Sequence, residues 1–211
     1  MPKELNIDQW KRKDHFHFFR KFEEPFFGVT VKIDCTMAYQ AAKQSGKSFF
    51  LYYLYQSLKA ANTIEEFKYR IQGEKVIVFD QVNASATINR PDETFGFSNM
   101  EYHEDDNQFY ESAKQEIGRI SKGKYLFPEA SLENVIHYSA LPWIDFTALS
   151  HARSFSLNDS SPKISFGKLK EKKGKKKMNV SIHVHHALMD GIHVGRFIET
   201  FQRFMNSETS P

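Results

Sequence analysis

Cysteine is almost missing from this chain: Cys35 is the only one in 211 residues. A lone thiol cannot close a disulfide within the chain, so packing must hold the fold, and a reducing compartment suits it. Long apolar runs are missing too. The longest, Phe49 to Tyr55, falls far short of the roughly 20 residues a bilayer-spanning helix needs. Met1 to Trp10 is polar and offers no apolar signal region. A soluble cytoplasmic protein with no membrane partner is the expectation. A general excess of charge is also lacking, since the net charge is only +3. Residues 168–177 hold seven Lys and one Glu, which leaves the rest of the chain at −3. That is one basic spot, not the basic stripe expected of a nucleic-acid binder. The lysine run reads as a solvated hairpin tip, able to draw in a polyanion by long-range attraction that salt weakens. No internal repeat and no clear linker interrupt the chain.

Phenylalanine is abundant, at 20 residues, and hydrophobic content is 40%. Such a chain can bury a core, and these rings must line a core, a pocket or an interface. The length suits one domain over residues 1–211.

The patterning alternates strands with helices. Trp10 to Phe22 mixes charges and aromatics, as a short helix or an irregular lead-in. Val29 to Ile33 reads as a strand. Asp34 or Thr36 can cap a helix through Ala41 and Ala42 that ends at Gly46, and Ser48 can cap the next, whose Phe49, Tyr52, Tyr53 and Leu58 suit burial. Thr63 to Phe67 is a short helical turn, and Tyr69 to Val78 a hairpin turning at Gln72-Gly73. Ala84 to Asn89 and Thr94 to Met100 are strands split by Pro91. Acidic Glu101 to Asp106 precedes a helix, Asn107 to Ser121, with Phe109, Ala113, Ile117 and Ile120 inward. Asn134 to Leu141 is a strand. Ile164 to Leu169 and Met178 to His186 form a long hairpin around Gly174. This mixture predicts an α/β (α+β, two-layer) fold with a mixed sheet flanked by helices.

The segment after that hairpin carries the chemistry. Met178, Val180, Ile182 and Val184 share one face at period two, and Asn179, Ser181, His183 and His185 take the other. By parity His186 falls on the apolar face at the strand's end. Ile192, Val194, Phe197, Ile198, Phe201 and Phe204 then recur at helical spacing, with Asp190 where an N-cap belongs. A histidine at the carboxyl end of a strand is suited to proton transfer at neutral pH. An isolated histidine on an apolar face is more often a satisfied core residue. His185 and His186 point to opposite faces and cannot easily share an ion, and His183 and His185 lack a third ligand nearby, so no metal is expected.

His186-Ala187-Leu188-Met189-Asp190-Gly191 is a His-x-x-x-Asp-Gly motif preceded by His185. It resembles the active-site motif of chloramphenicol acetyltransferases and, more distantly, those of dihydrolipoyl acyltransferase cores and peptide-synthetase condensation domains. Three more stretches carry the first resemblance: Trp10 to Arg20 (WKRKDHFHFFR), similar to the family's Trp-x-Arg-x-x-His-Phe segment; Thr94-Phe95; and Ser139-Ala140-Leu141-Pro142-Trp143, which matches the family's block outright. The likeness runs over about residues 5 to 206.

That resemblance implies the coenzyme A-dependent acyltransferase fold, a trimer with active sites between subunits, and acetyl transfer from acetyl-CoA to a chloramphenicol hydroxyl. It makes His186 the general base and Ser139 the donor to the oxyanion. Asp190 would pair with the family's N-terminal arginine, taken as Arg20, to hold the turn bearing His186. Ser165 stands where the family has a threonine near the intermediate, and Trp143 and Lys168 where it contacts coenzyme A. The acceptor pocket would draw on Phe27, Phe95, Phe97, Phe127, His137, Leu149 and His183. Departures gather there. Phe97 replaces a small residue, Leu149 an aromatic, His137 an asparagine and His183 a glutamine, and Phe27 stands where many relatives have tyrosine. Leu149 could make the room that Phe97 takes. Two other readings are transfer to a different hydroxylated small molecule and a catalytically silent trimeric binding protein of this fold.

Overall fold

The structure, a computed structural model, describes residues 2–127, 133–153 and 159–207. In chain order its elements are β1 (Lys3–Glu4), α1 (Lys13–Phe19), β2 (Phe26–Asp34), α2 (Thr36–Gln44), α3 (Phe49–Asn62), β3 (Tyr69–Gln72), β4 (Lys75–Val78), β5 (Asn83–Asn89), β6 (Phe95–Phe97), α4 (Asp106–Lys122), β7 (Val135–Ala140), β8 (Lys163–Phe166), β9 (Lys170–Lys172), β10 (Lys175–His185) and α5 (Gly191–Asn206). The large sheet runs β2-β10-β8-β7-β5-β6, with β9 also paired to β10. It is mixed: β5, β7 and β8 are parallel, and the pairings of β2, β6, β8 and β9 with their neighbours β10 or β5 are antiparallel.

Period-two alternation in β10 sorts the sheet into two faces. Met178, Val180, Ile182 and Val184 join Ile164, Phe166, Ile136 and Tyr138 in one apolar cluster with residues of α2, α3, α4 and α5. Helix α3 lies at its centre. Ten of its fourteen residues are buried, including Gln56 and Ser57. A helix that is apolar nearly all round belongs inside a core rather than on a surface. A second small cluster packs α1 and the β1-β4-β3 sheet against Ala187 and Leu188. Trp10 meets Tyr69 edge-on there, with ring centroids 5.7 Å apart.

Element order follows the sequence expectation, with local corrections. The two-residue β1 and three-residue β9 are too short to show a periodicity. Cys35, not Asp34 or Thr36, occupies the N-cap of α2, although the Asp34 carboxylate still accepts from the Thr36 backbone N–H (3.0 Å) and hydroxyl (2.6 Å). Ser48 sits at the N-cap of α3 but makes no side-chain capping bond. Among the described residues no helix is long and apolar enough to cross a membrane.

Candidate active site

The face of the sheet turned away from the helices is polar, and it is ordered in rows. Directly opposed residues on neighbouring strands point to the same side. One row sets Ser139 of β7 beside Ser165 of β8, Ser181 of β10 and Thr30 of β2. Two residues along, the next row sets His137 beside Lys163, His183 and Gly28. A Cβ at Gly28 would lie 2.1 Å from the His183 ring, so only glycine lets that imidazole lie flat over β2. The segment after β7 folds back over this face. Asn179 donates to the Phe146 carbonyl at 2.8 Å, and His151 meets His183 edge-on with centroids 4.9 Å apart.

Burial makes this face a neutral one in spite of its imidazoles. It pushes His137 and His151 each down to about 4, with the Lys163 charge next in importance for His137 and His183 for His151. His185 falls to about 4 and His183 is also lowered, again chiefly by burial. Lys163 is buried but ion-paired to Asp159. The Ser165 hydroxyl is fully buried and has no hydrogen-bond partner among the described residues. An orphaned buried donor beside Ser139 is costly to maintain and calls for a reason.

His186 lies one residue past the end of β10. Its backbone N–H still reaches the Pro25 carbonyl (2.8 Å), but its ring leaves the core and lies flat on Phe19 at 3.9 Å between centroids, with Phe27 at 4.6 Å. This corrects the inward placement that parity suggested: the strand stops at His185 and a turn begins. The His186 Nδ1 stands 3.3 Å from the Met189 carbonyl oxygen. A carbonyl only accepts, so this contact places the proton on Nδ1 and leaves the Nε2 lone pair free.

The turn behind it is held from two sides. Asp190 is the N-cap of α5: its carboxylate accepts from the Ile192 N–H, while His193 Nδ1 accepts from the Asp190 N–H at 3.0 Å. The second half of this capping box is filled by histidine instead of the usual glutamate or glutamine. The other Asp190 oxygen receives Arg12 at 2.5 Å, and the same guanidinium donates to the His186 carbonyl at 3.2 Å. Burial alone would raise the Asp190 carboxyl, but the Arg12 hydrogen bond and charge hold it below its ordinary value. The expected partner, Arg20, is not there. It lies at the other end of α1 and forms a fork with Glu74, at 2.5 and 2.7 Å. Seven helical residues span roughly 10 Å, so the two arginines cannot exchange places. Arg12 is the third residue of the Trp10-Lys11-Arg12 spacing, and that spacing carried the signal. Phe19, the ring flat against His186, has no sequence signal that sets it apart from its neighbours Phe16 and Phe18.

The other expected site residues fall into separate groups. Trp143, 65% exposed, lies in the turn after β7. Lys168 is tied to the same turn by its N–H to the Ile144 carbonyl, 2.9 Å. Phe95, Phe97 and Phe127 cluster at the β6 edge, with Phe97 stacked on Phe127 at 5.2 Å. Leu149 lies against His183, whose imidazole its backbone hydrogen-bonds. β6 is four strand spacings from β10, roughly 19 Å. Leu149 therefore cannot make room for Phe97 within one chain. His186 is likewise apart from Ser139. The row of Ser139 crosses β10 at Ser181, five residues before His186 and two strands away. Those steps amount to roughly 15–20 Å. Among the described residues no group of three or more His, Cys, Asp or Glu can hold a metal ion.

Comparison with known proteins defines first a class. The fold is that of a solved structure described as a probable dihydrolipoamide acetyltransferase from Listeria monocytogenes, with TM-score 0.69 and 13% identity over 93% of this chain and 90% of that one. A solved chloramphenicol acetyltransferase superposes with TM-score 0.89 at 31% identity, over 97% of this chain and 100% of that one. The sequence is also 31% identical to the chloramphenicol acetyltransferase of Proteus mirabilis over 201 residues, 95% of this chain and 93% of the relative. The family model for chloramphenicol acetyltransferase matches residues 3–202, and the chain belongs to that family.

Proposed function

We propose that this protein transfers the acetyl group of acetyl-CoA to a hydroxyl of chloramphenicol and so inactivates the antibiotic. Membership of the family and the free Nε2 of His186 support this reading. Nε2 takes the proton of the acceptor hydroxyl as its oxygen attacks the thioester carbonyl. Ser139 donates to the resulting oxyanion, an interaction worth roughly 3 kcal/mol of barrier. Collapse breaks the carbon–sulfur bond, and the coenzyme thiolate recovers the proton from the imidazolium. The products are the acetyl ester and free thiol, with no metal and no covalent enzyme intermediate. Asp190, held by Arg12, positions the turn. Trp143 and Lys168 contact the coenzyme, with Ser165 near the intermediate. Phe27, Phe95, Phe97, Phe127, His137, Leu149 and His183 line the acceptor side.

The single observation that carries the assembly is the separation of His186 from Ser139 in one chain. Two groups roughly 15–20 Å apart cannot act on one carbonyl. Each active site is then built by His186 of one subunit facing Ser139 of the next, in a homotrimer of single-domain, 211-residue chains that works in the cytoplasm. The clustered rings of Phe95, Phe97 and Phe127 at one sheet edge supply apolar surface for that interface.

The decisive measurement is thiol release from acetyl-CoA with and without chloramphenicol, with the ester identified by mass. No ester at saturating drug would refute the acceptor. The neutral imidazoles His137, His151 and His183 favour one alternative, another polar hydroxylated acceptor, which a panel of such alcohols would reveal.

A further inference from the structure

The peptide unit that joins Met189 to Asp190 is gripped by an imidazole at each end. Its carbonyl oxygen lies 3.3 Å from His186 Nδ1, and its N–H donates to His193 Nδ1 at 3.0 Å. In a planar trans peptide those two groups point in opposite directions, so the rings sit on opposite sides of the unit. The far nitrogen of the second ring is also occupied. His193 Nε2 stands 3.2 Å from the Glu66 carboxylate. The contacts form one line: the Glu66 carboxylate, His193, the Met189–Asp190 peptide and His186.

Each proton in this line has one consistent place. The Asp190 N–H only donates, so His193 Nδ1 is its acceptor and the ring proton sits on Nε2, facing Glu66. A proton on Nδ1 would turn instead to Asp190 Oδ1, also 3.0 Å away, and leave the Asp190 N–H without an acceptor. Glu66, which only accepts, holds the proton on Nε2. Arg12 and the Ile192 N–H already serve the Asp190 carboxylate. His193 and His186 therefore carry opposite tautomers, Nε2–H and Nδ1–H.

Packing fixes Glu66 in place. It belongs to the helical turn Glu65–Lys68, whose Phe67 is fully buried and stacks on Phe197 of α5 at 4.9 Å. Phe197 lies one turn beyond His193 on the same helix. His193 is 8% exposed and the Glu66 side chain 21%. Little water screens the line, and hydrogen bonds in series polarise one another where screening is weak.

A histidine that acts as a base is commonly oriented by a carboxylate at its other nitrogen, which also stabilises the imidazolium formed on proton transfer. His186 has a neutral carbonyl there. We propose that Glu66 and His193 are positioning residues that bring carboxylate charge to His186 through the Met189–Asp190 peptide. This rests on the reading of His186 as the base of the transfer. Glu66 makes Nδ1 of His193 a stronger acceptor. The Asp190 N–H is polarised in turn, and the Met189 oxygen becomes more negative. That oxygen then holds the His186 Nδ1–H more firmly as Nε2 takes up the proton of the acceptor hydroxyl. Strengthening of about 10–30% per bond makes this a several-fold contribution to rate, smaller than that of the base itself.

The test compares the full chain with three variants. His193→Ala cuts the line. His193→Gln keeps an acceptor for the Asp190 N–H, as in an ordinary capping box. Glu66→Gln removes the charge and keeps the shape. Glu65→Gln, exposed and facing Tyr69, is the control for loss of a neighbouring carboxylate. One hydrogen bond at such a site is worth about two- to tenfold. His193→Ala should lower kcat about tenfold and Glu66→Gln about three- to fivefold, with both Michaelis constants within about twofold of the parent. His193→Gln should stay within about threefold of the parent, and Glu65→Gln should match it. Added to His193→Ala, Glu66→Gln should change nothing further, because the line is already cut. NMR of isotope-labelled histidine needs no substrate. It should show His193 protonated on Nε2 alone, and the His186 Nδ1–H resonance moving upfield in His193→Ala and Glu66→Gln. Parental kcat in either of those variants would overturn the proposal. So would an equal loss in Glu65→Gln, His193→Gln as slow as His193→Ala, additive losses in the double variant, or a proton on His193 Nδ1. If His193→Ala fails to assemble, His193→Gln and Glu66→Gln decide the matter. If the parent forms no acetyl-chloramphenicol, the acceptor reading falls, and the relay stands or falls with the movement of the His186 resonance.

Discussion

The base role proposed for His186 rests on one contact. The Met189 carbonyl beside Nδ1 fixes the tautomer, and the flat stack on Phe19 fixes the plane. His186→Ala should therefore lower kcat by about 10²- to 10⁴-fold while the circular dichroism and assembly state stay those of the parent. A variant within a few-fold of the parent would remove His186 from the mechanism. His185→Ala acts differently. That ring is buried and its Nδ1 accepts from the Ala187 N–H at 3.3 Å, so the loss should appear in stability more than in rate. At the same scale, Arg12 and Arg20 are separable. Arg12→Ala leaves a partly buried carboxylate without its donor, which typically costs roughly 1–3 kcal/mol, and loosens the His186 carbonyl as well. Arg20→Ala breaks a pair whose Glu74 partner is 86% exposed and should move both rate and melting temperature little. Equal effects of the two substitutions would contradict the pairing seen here.

Within single elements, β10 and α5 explain how a turn of five residues is kept in register. Asp190 has two duties, capping α5 with one oxygen and receiving Arg12 with the other. Asp190→Asn keeps a capping acceptor but gives up the charge. It should retain most of the helix stability, lose part of the rate and give up only the share of the parent's acid sensitivity that comes from the lowered Asp190 carboxyl. The rows of the sheet set a second pH dependence. His137, His151 and His185 are uncharged in the fold down to about 4, whereas an unfolded histidine takes up its proton near 6.5. Between those values the unfolded state binds more protons, so stability rises with pH. The stabilisation is complete above about 6.5 and is lost as pH falls towards 4. Urea midpoints measured across that window should drop on acidification, with an uptake of up to about three protons on unfolding. A flat profile from 6.5 to 4 would show that these imidazoles are already charged or solvated in the fold.

For the whole molecule the question is whether one chain suffices. If each site joins His186 of one subunit to Ser139 of the next, inactive His186→Ala and Ser139→Ala chains complement each other. Every mixed trimer then contains one intact site. Random reassembly of equal amounts of the two chains should restore about a quarter of parental activity. Absence of any recovery, with exchange of subunits shown by mass, would mean that both residues serve from the same chain. An active species of 24.7 kDa by light scattering would say the same.

Some of this was written in the order of residues. Period two in Met178 to Val184 defined the strand and its two faces. Period 3.6 from Ile192 to Phe204 defined the helix, and Asp190 marked its start. Local rules suffice there because each residue's direction depends only on its own strand or helix. The His-x-x-x-Asp-Gly and Ser-Ala-Leu-Pro-Trp stretches likewise sufficed to indicate the family. Sequence could not choose between Arg12 and Arg20, since that choice depends on which end of α1 faces the α5 turn. Nor could it show His186 leaving the apolar face, because parity holds only while the strand continues. The burial of α3 on all sides, the separation of Phe97 from Leu149 by four strands, and the meeting of Glu66 with His193 arise from how segments far apart in the chain are packed together. Those contacts are long-range, and only the tertiary structure fixes them.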